Sequence, residues 1–163
     1  MTRCLIDLGV RTNEVSHITL DDIDWRNQTI TIYSGKSHQQ HKLPMSKALQ
    51  LALSDYLSNG RPQTQSRHVF VYHRAPLGKP IMATTVRGIV RRAFNRAGFE
   101  PSNSQVHRLR HTMGTQLVLN GVPLKTIADI LGHQSIDTTV RYTHINQAAL
   151  QSIALPWPKG ADS

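Results

Sequence analysis

Cysteine is nearly missing from this sequence: Cys4 is the only one in 163 residues. No intramolecular disulfide can form, and no metal site built on several thiolates can exist. Long apolar runs are missing too. The N-terminus has no stretch of signal-peptide length and nowhere do 18 apolar residues follow one another, which argues against a secretory leader and a membrane-spanning helix. A soluble cytoplasmic protein is expected. Acidic residues are scarce, 10 Asp plus Glu against 19 Lys plus Arg, for a formal charge of +9. That imbalance favours a polyanionic partner, nucleic acid first, although a basic surface also serves solubility or a membrane-facing patch. The length suits one compact domain with a real core. There is no internal repeat and no low-complexity tract.

What is present reads as helices around a small sheet. Leu5, Ile6, Leu8, Val10, Val15, Ile18 and Leu20 follow a helix-like pattern interrupted at Gly9. The alternating, β-branched "TITIY" at 29–33 and the later "HKLPM" predict two strands joined by the polar loop that holds Lys36. Ser46 caps a helix with Leu49, Ala52, Leu53, Tyr56 and Leu57 on one stripe and Gly60 at its end. "HVFVY" at 68–72 reads as a short strand or an extended segment. Thr84 or Thr85 opens a helix with Val86, Ile89, Val90, Ala93 and Phe94 inward and Arg87, Arg91, Arg92 and Arg96 outward, ending at Gly98. Leu109, Met113 and Leu117 predict a helix over about 105–120, stopped at Asn120-Gly121. Pro123 suits the first turn of the next helix, whose stripe is Leu124, Ile127, Ala128 and Leu131. Further helices are expected from Ser135 and over 147–155, before "PWPKG".

Several stretches carry chemistry without choosing it alone. In "VHRLRHT", His107 and Arg110 are three apart and share a helix face, with Leu109 and Met113 on another. His107 and His111 have metal-compatible spacing, but no glutamate lies between them in the zinc-protease pattern. Arg11 and Glu14 read either as an ordinary i,i+3 ion pair or as a carboxylate orienting a guanidinium fork toward a phosphate. The helix, glycine turn and helix of "VPLKTIADILGHQSIDTTVRY" are compatible with a non-catalytic helix-turn-helix DNA reader. Within it, Tyr142 is a core aromatic or a nucleophile.

All of these pieces occur in order in one known pattern. "GVRTNEV", "SGKSHQQHKLP", "HRLRHT" and "LGHQSIDTTVRYTH" resemble the tyrosine recombinases, the phage-integrase type of site-specific DNA recombinase, over residues 4 to about 146. The resemblance implies an α+β, mainly α-helical catalytic domain with a small antiparallel β-sheet. It also implies DNA strand cleavage and rejoining for recombination or integration, through a 3′-phosphotyrosyl link. Carried over by position, the catalytic residues are Arg11, Lys36, His107, Arg110, His133 and the nucleophile Tyr142. Arg11 and Arg110 then clamp the phosphate. His107 serves the proton transfers, His133 stabilises the transition state, and Lys36 protonates the leaving 5′ oxygen, with Lys42 as its alternative. Energy conserved in the phosphotyrosyl ester makes ATP and other cofactors unnecessary, and no metal is implied. Type IB topoisomerases use similar residues to relax DNA and stand as a further alternative.

Departures from the family pattern shape the remaining expectations. The resemblance makes residues 1–146 the catalytic domain, its N-terminal edge truncated, without the helical domain by which relatives clamp DNA. Residues 147–163 form a tail whose Leu150, Ile153, Leu155 and Trp157 suit packing on a neighbouring protomer in a DNA-bound tetramer or packing in cis. Gln39 and Gln40 stand where relatives carry basic hairpin residues, and "ALPWP" is similar to the ending of some mobile-element recombinases. Duplex-DNA affinity should fall steeply with salt. The slope of log K against log[salt] should approach about −0.9 per neutralised phosphate, and a flat anisotropy titration would remove DNA as the polyanion.

Overall fold

The computed structural model describes residues 1–34, 40–99 and 105–131. The first apolar run forms two short helices, α1 (Thr2–Leu8) and α2 (Thr12–His17). The break falls at Gly9, whose φ of +61° and ψ of 18° lie in the left-handed region where a side chain is costly. A single 3₁₀ turn, Leu20–Asp22, follows α2, with the Asp22 carboxylate accepting from the Thr19 N–H and hydroxyl.

The sheet has three antiparallel strands in chain order: β1 (Ile23–Asp24), β2 (Thr29–Tyr33) and β3 (Gln40–Pro44). Cross-strand partners share a face, so the register of Ile30 with Leu43 and Ile32 with His41 turns these residues inward. Thr31, Lys42 and Tyr33 then face outward. "HVFVY" is an extended segment rather than a strand, attached by single bridges from His68 to Thr19 and from Val71 to Pro80. Val69, Phe70 and Val71 are all buried, so alternation is absent where the segment runs through the core.

Ser46 caps α3 (Lys47–Asp55) as its residue type predicts, its Oγ accepting from the Leu49 N–H at 3.1 Å. The same hydroxyl donates to the Asp7 carboxylate, tying α3 to α1. Leu49 and Leu53 are buried, whereas Ala52 is exposed, off the expected stripe. The helix runs on through a wider turn, Tyr56–Gly60, before ending. Arg61 then donates to the carbonyls of Ser66, His68 and Val69, which pins the following loop.

Helix α4 (Ala83–Arg96) begins one residue earlier than Thr84 suggests, with Met82 at its N-cap and no side-chain cap. Val86 and Val90 are buried and the four arginines exposed, as the pattern predicts. Its end is a Schellman turn: Gly98 at φ +79° donates to Asn95, Phe99 donates to Phe94, and the two phenyl rings meet at 5.5 Å. Helix α5 (Gln105–Leu119) ends in the same way, with Gly121 at φ +73° donating to Val118 and Val122 to Leu117. Pro123 sits at the N-cap of α6 (Leu124–Leu131), its carbonyl accepting from Ile127 N–H.

Helix α1 packs on α3 and α5, α2 on α4, and α6 on α5 and β3. The main core runs from Cys4 to Val90, while Val118, Ile127 and Leu131 form a second, smaller cluster with Met113, Leu117, Val122 and Leu124 around them. No described helix is long and apolar enough to cross a membrane. Cys4 is fully buried and burial pushes its thiol pKa up. A maleimide should therefore label it only as the chain opens, at a rate that rises with denaturant. Immediate labelling of native protein would contradict this packing.

Candidate active site

Two arginines converge on the turn between α1 and α2. Arg11 is the N-cap residue of α2, at φ −80° and ψ 156°. Glu14, in the first helical turn, uses both carboxylate oxygens on it: Oε2 accepts the Arg11 backbone N–H at 2.7 Å and Oε1 accepts Nη1 at 2.9 Å. This is the acceptor half of a capping box, in which the N3 carboxylate also grips the cap's own side chain; the arginine itself only donates. The ion-pair reading of these two residues is realised. The pair is an i,i+3 ion pair, and it also fixes one edge of a guanidinium that stays 44% exposed while Glu14 is 8% exposed.

Arg110 reaches the same turn from α5. Its Nη1 donates to the Gly9 carbonyl at 2.6 Å and its Nη2 to the Leu131 carbonyl. Two main-chain acceptors from opposite ends of the sequence thus set the plane of one guanidinium. Gly9 is the C-cap of α1, where the helix dipole favours a cation, and Leu131 lies on α6. The separation of Arg110 from the Met113 side, expected from spacing, does not hold. Met113 lies near Gly9 as well, so Arg110 faces the protein on the same side and is half-buried. His107, one turn before Arg110, is exposed.

Lys36, His133 and Tyr142 lie outside the described residues. Lys42 is placed on the outer face of the sheet, its Nζ 3.7 Å from Asp24 Oδ2. Asp24 is held below the usual carboxylate range by hydrogen bonds from the Asn27 side chain and backbone, with a smaller contribution from Lys42. Sequence reasoning overlooked Gly9 and Leu131 as Arg110 acceptors. Glycine punctuation was visible, but carbonyl direction has no sequence signal. Among the described residues, no group of three or more His, Cys, Asp or Glu is arranged to hold a metal ion.

This arrangement of helices and hairpin is shared with solved recombinases. The XerA recombinase superposes with a TM-score of 0.77 at 30% identity, over 93% of this chain and 54% of that one. The model of the phage integrase family matches residues 1–149, and the chain belongs to that family. A Sinorhizobium fredii protein named as an integrase/recombinase, y4rA, is 35% identical over 158 residues, 97% of this chain and 38% of its own length. The tyrosine recombinase XerC of Lacticaseibacillus casei is 31% identical over 154 residues, 91% of this chain and 50% of its own. The chain therefore spans about half or less of these two relatives.

The Arg11–Glu14 geometry makes a quantitative prediction. In urea denaturation, Arg11→Ala and Glu14→Ala should be non-additive, with a coupling on the order of 1 kcal/mol. Glu14→Ala should be the less costly single change, because Arg11→Ala leaves a carboxylate buried. Strict additivity would mean the two side chains do not act together.

Proposed function

We propose that this chain cleaves and rejoins DNA strands for site-specific recombination, with Tyr142 as the nucleophile. The observation that carries the reading is the pair of fixed arginines at the α1–α2 turn. In-line displacement at phosphorus concentrates negative charge on the non-bridging oxygens, and guanidinium forks held beforehand match that charge without reorganising. Arg11 is held by a carboxylate and Arg110 by two carbonyls. Family membership and the recombinase names of the relatives support the same assignment.

The remaining roles follow the chemistry. A tyrosine hydroxyl has an ordinary pKa of about 10 and must lose its proton during attack. His107 is the base, and its exposure leaves it open to a substrate. His133 hydrogen-bonds the phosphorane-like transition state. Lys36 protonates the departing 5′ oxygen. Lys42 is the weaker choice for that proton, because Asp24 pairs with it on the outer face of the sheet. The bond energy stays in the 3′-phosphotyrosyl ester, so a second 5′ hydroxyl can reverse the step with no outside energy source.

Double-stranded DNA is the partner. The exposed Arg87, Arg91, Arg92 and Arg96 of α4, none with a carboxylate ion pair among the described residues, add cationic surface for phosphates. Residues 1–146 form the catalytic domain, and 147–163 act as the docking tail by which protomers assemble on DNA.

A nicked duplex carrying a candidate site traps the intermediate, because the short fragment bearing the freed 5′ hydroxyl diffuses away. Wild-type chain should form a covalent band on a denaturing gel in the presence of EDTA, and Tyr142→Phe should form none. Arg110→Ala should slow band formation about a hundredfold. An undiminished band from Tyr142→Phe would exclude Tyr142 as nucleophile.

A further inference from the structure

Both arginines depend on a single residue with no side chain. Gly9 closes α1 in the left-handed region, and its carbonyl is the acceptor for Arg110 Nη1. Two residues further on, the redirected chain makes Arg11 the N-cap of α2. A Cβ built on Gly9 would lie 2.8 Å from Leu131 Cδ2 and 3.2 Å from Met113 Sδ. Leu131 supplies the second carbonyl to Arg110, and Met113 stands next to Arg110 along α5. A side chain at position 9 would therefore press on the elements that orient Arg110 while its φ strained the turn that orients Arg11.

We propose that Gly9 is a positioning residue for DNA cleavage. Its left-handed turn aims a main-chain carbonyl at Arg110 and lets Leu131 close against it, so that both guanidinium groups are registered on one phosphate. This inference rests on the cleavage function proposed above and adds how its arginines are set. An L-residue at position 9 relieves its strain by rotating toward negative φ, which turns the carbonyl away from Nη1 and shifts the start of α2. Leu131 cannot yield freely, because it is itself part of the second core cluster.

The test uses the full chain and the nicked trapping duplex, with either a normal phosphodiester or a methylphosphonate at the cleaved position. A methylphosphonate has no charge on phosphorus oxygens, so misaligned cations should matter little to it. Gly9→Ala should form the covalent adduct about a hundredfold more slowly on the phosphodiester, as for a catalytic group displaced by about 1 Å. On the methylphosphonate most of that deficit should vanish. Combined with Arg110→Ala, the substitution should add no further loss on the phosphodiester, because both act through one guanidinium.

Equal loss on the two substrates, or full additivity with Arg110→Ala, would make Gly9 merely structural and overturn the inference. If Gly9→Ala lacks a cooperative melt, Gly9→Ala with Leu131→Val removes the methyl group that the new Cβ meets, and the same comparisons apply. Wild-type activity with an unchanged Gly9→Ala rate would overturn the inference alone. No adduct from wild type on either substrate would overturn the cleavage function and this inference with it.

Discussion

The guanidinium of Arg110, donating to the Gly9 and Leu131 carbonyls, links α1 and α6 through α5. Gly9 belongs to the region of the main core, and Leu131 to the smaller cluster formed by α5 and α6. Hydrophobic contact alone is non-directional and sets the relative orientation of packed elements only loosely. Charge-assisted hydrogen bonds are directional, and two on one planar group leave little rotational freedom. The Gly9 carbonyl suits this role because the last carbonyls of a helix such as α1 have no intrahelical partner. One arginine thus serves main-chain acceptors of α1 and α6 while being oriented by them.

Arg11 presents the opposite electrostatic problem. It sits at a helix N-terminus, where the dipole disfavours a cation, and Glu14 in the first turn offsets this by placing a carboxylate on both the backbone N–H and the side chain. The cost of burying Glu14 is met by the same two bonds. The two arginines are therefore held by different means, one by an anion and the other by neutral dipoles. Arg61 repeats the second device away from the site, where its three bonds to loop carbonyls serve structure alone. Arginine's rigid, multidonor plane is what makes both uses possible, and a lysine could not reproduce either.

Much of this architecture is legible residue by residue. The alternation of Thr29–Tyr33 appears as β2, Ser46 caps α3, and Gly98 and Gly121 each end a helix in the left-handed region. These features depend on neighbours within a turn or two, so local propensity and periodicity suffice. The four motifs named the family and its arginines for a related reason, since spacing along one helix or hairpin survives in the sequence. Errors arose where tertiary packing overrode the local pattern. Ala52 fell outside its stripe, and Arg110 turned toward Gly9 alongside Met113, whereas packing through the core chose the extended one of the two forms open to "HVFVY".

The sequence by itself determined the family, the charge of the surface, the helices and hairpin, and which residue types are available for phosphate chemistry. Only the tertiary structure decided that Gly9 and Leu131 orient Arg110, that Ser46 ties α3 to α1 through Asp7, and that Lys42 pairs with Asp24. The physical reason is range. Helix, strand and cap preferences are short-range and are encoded in adjacent residues. The direction of a carbonyl relative to a guanidinium 101 positions away depends on how whole elements pack.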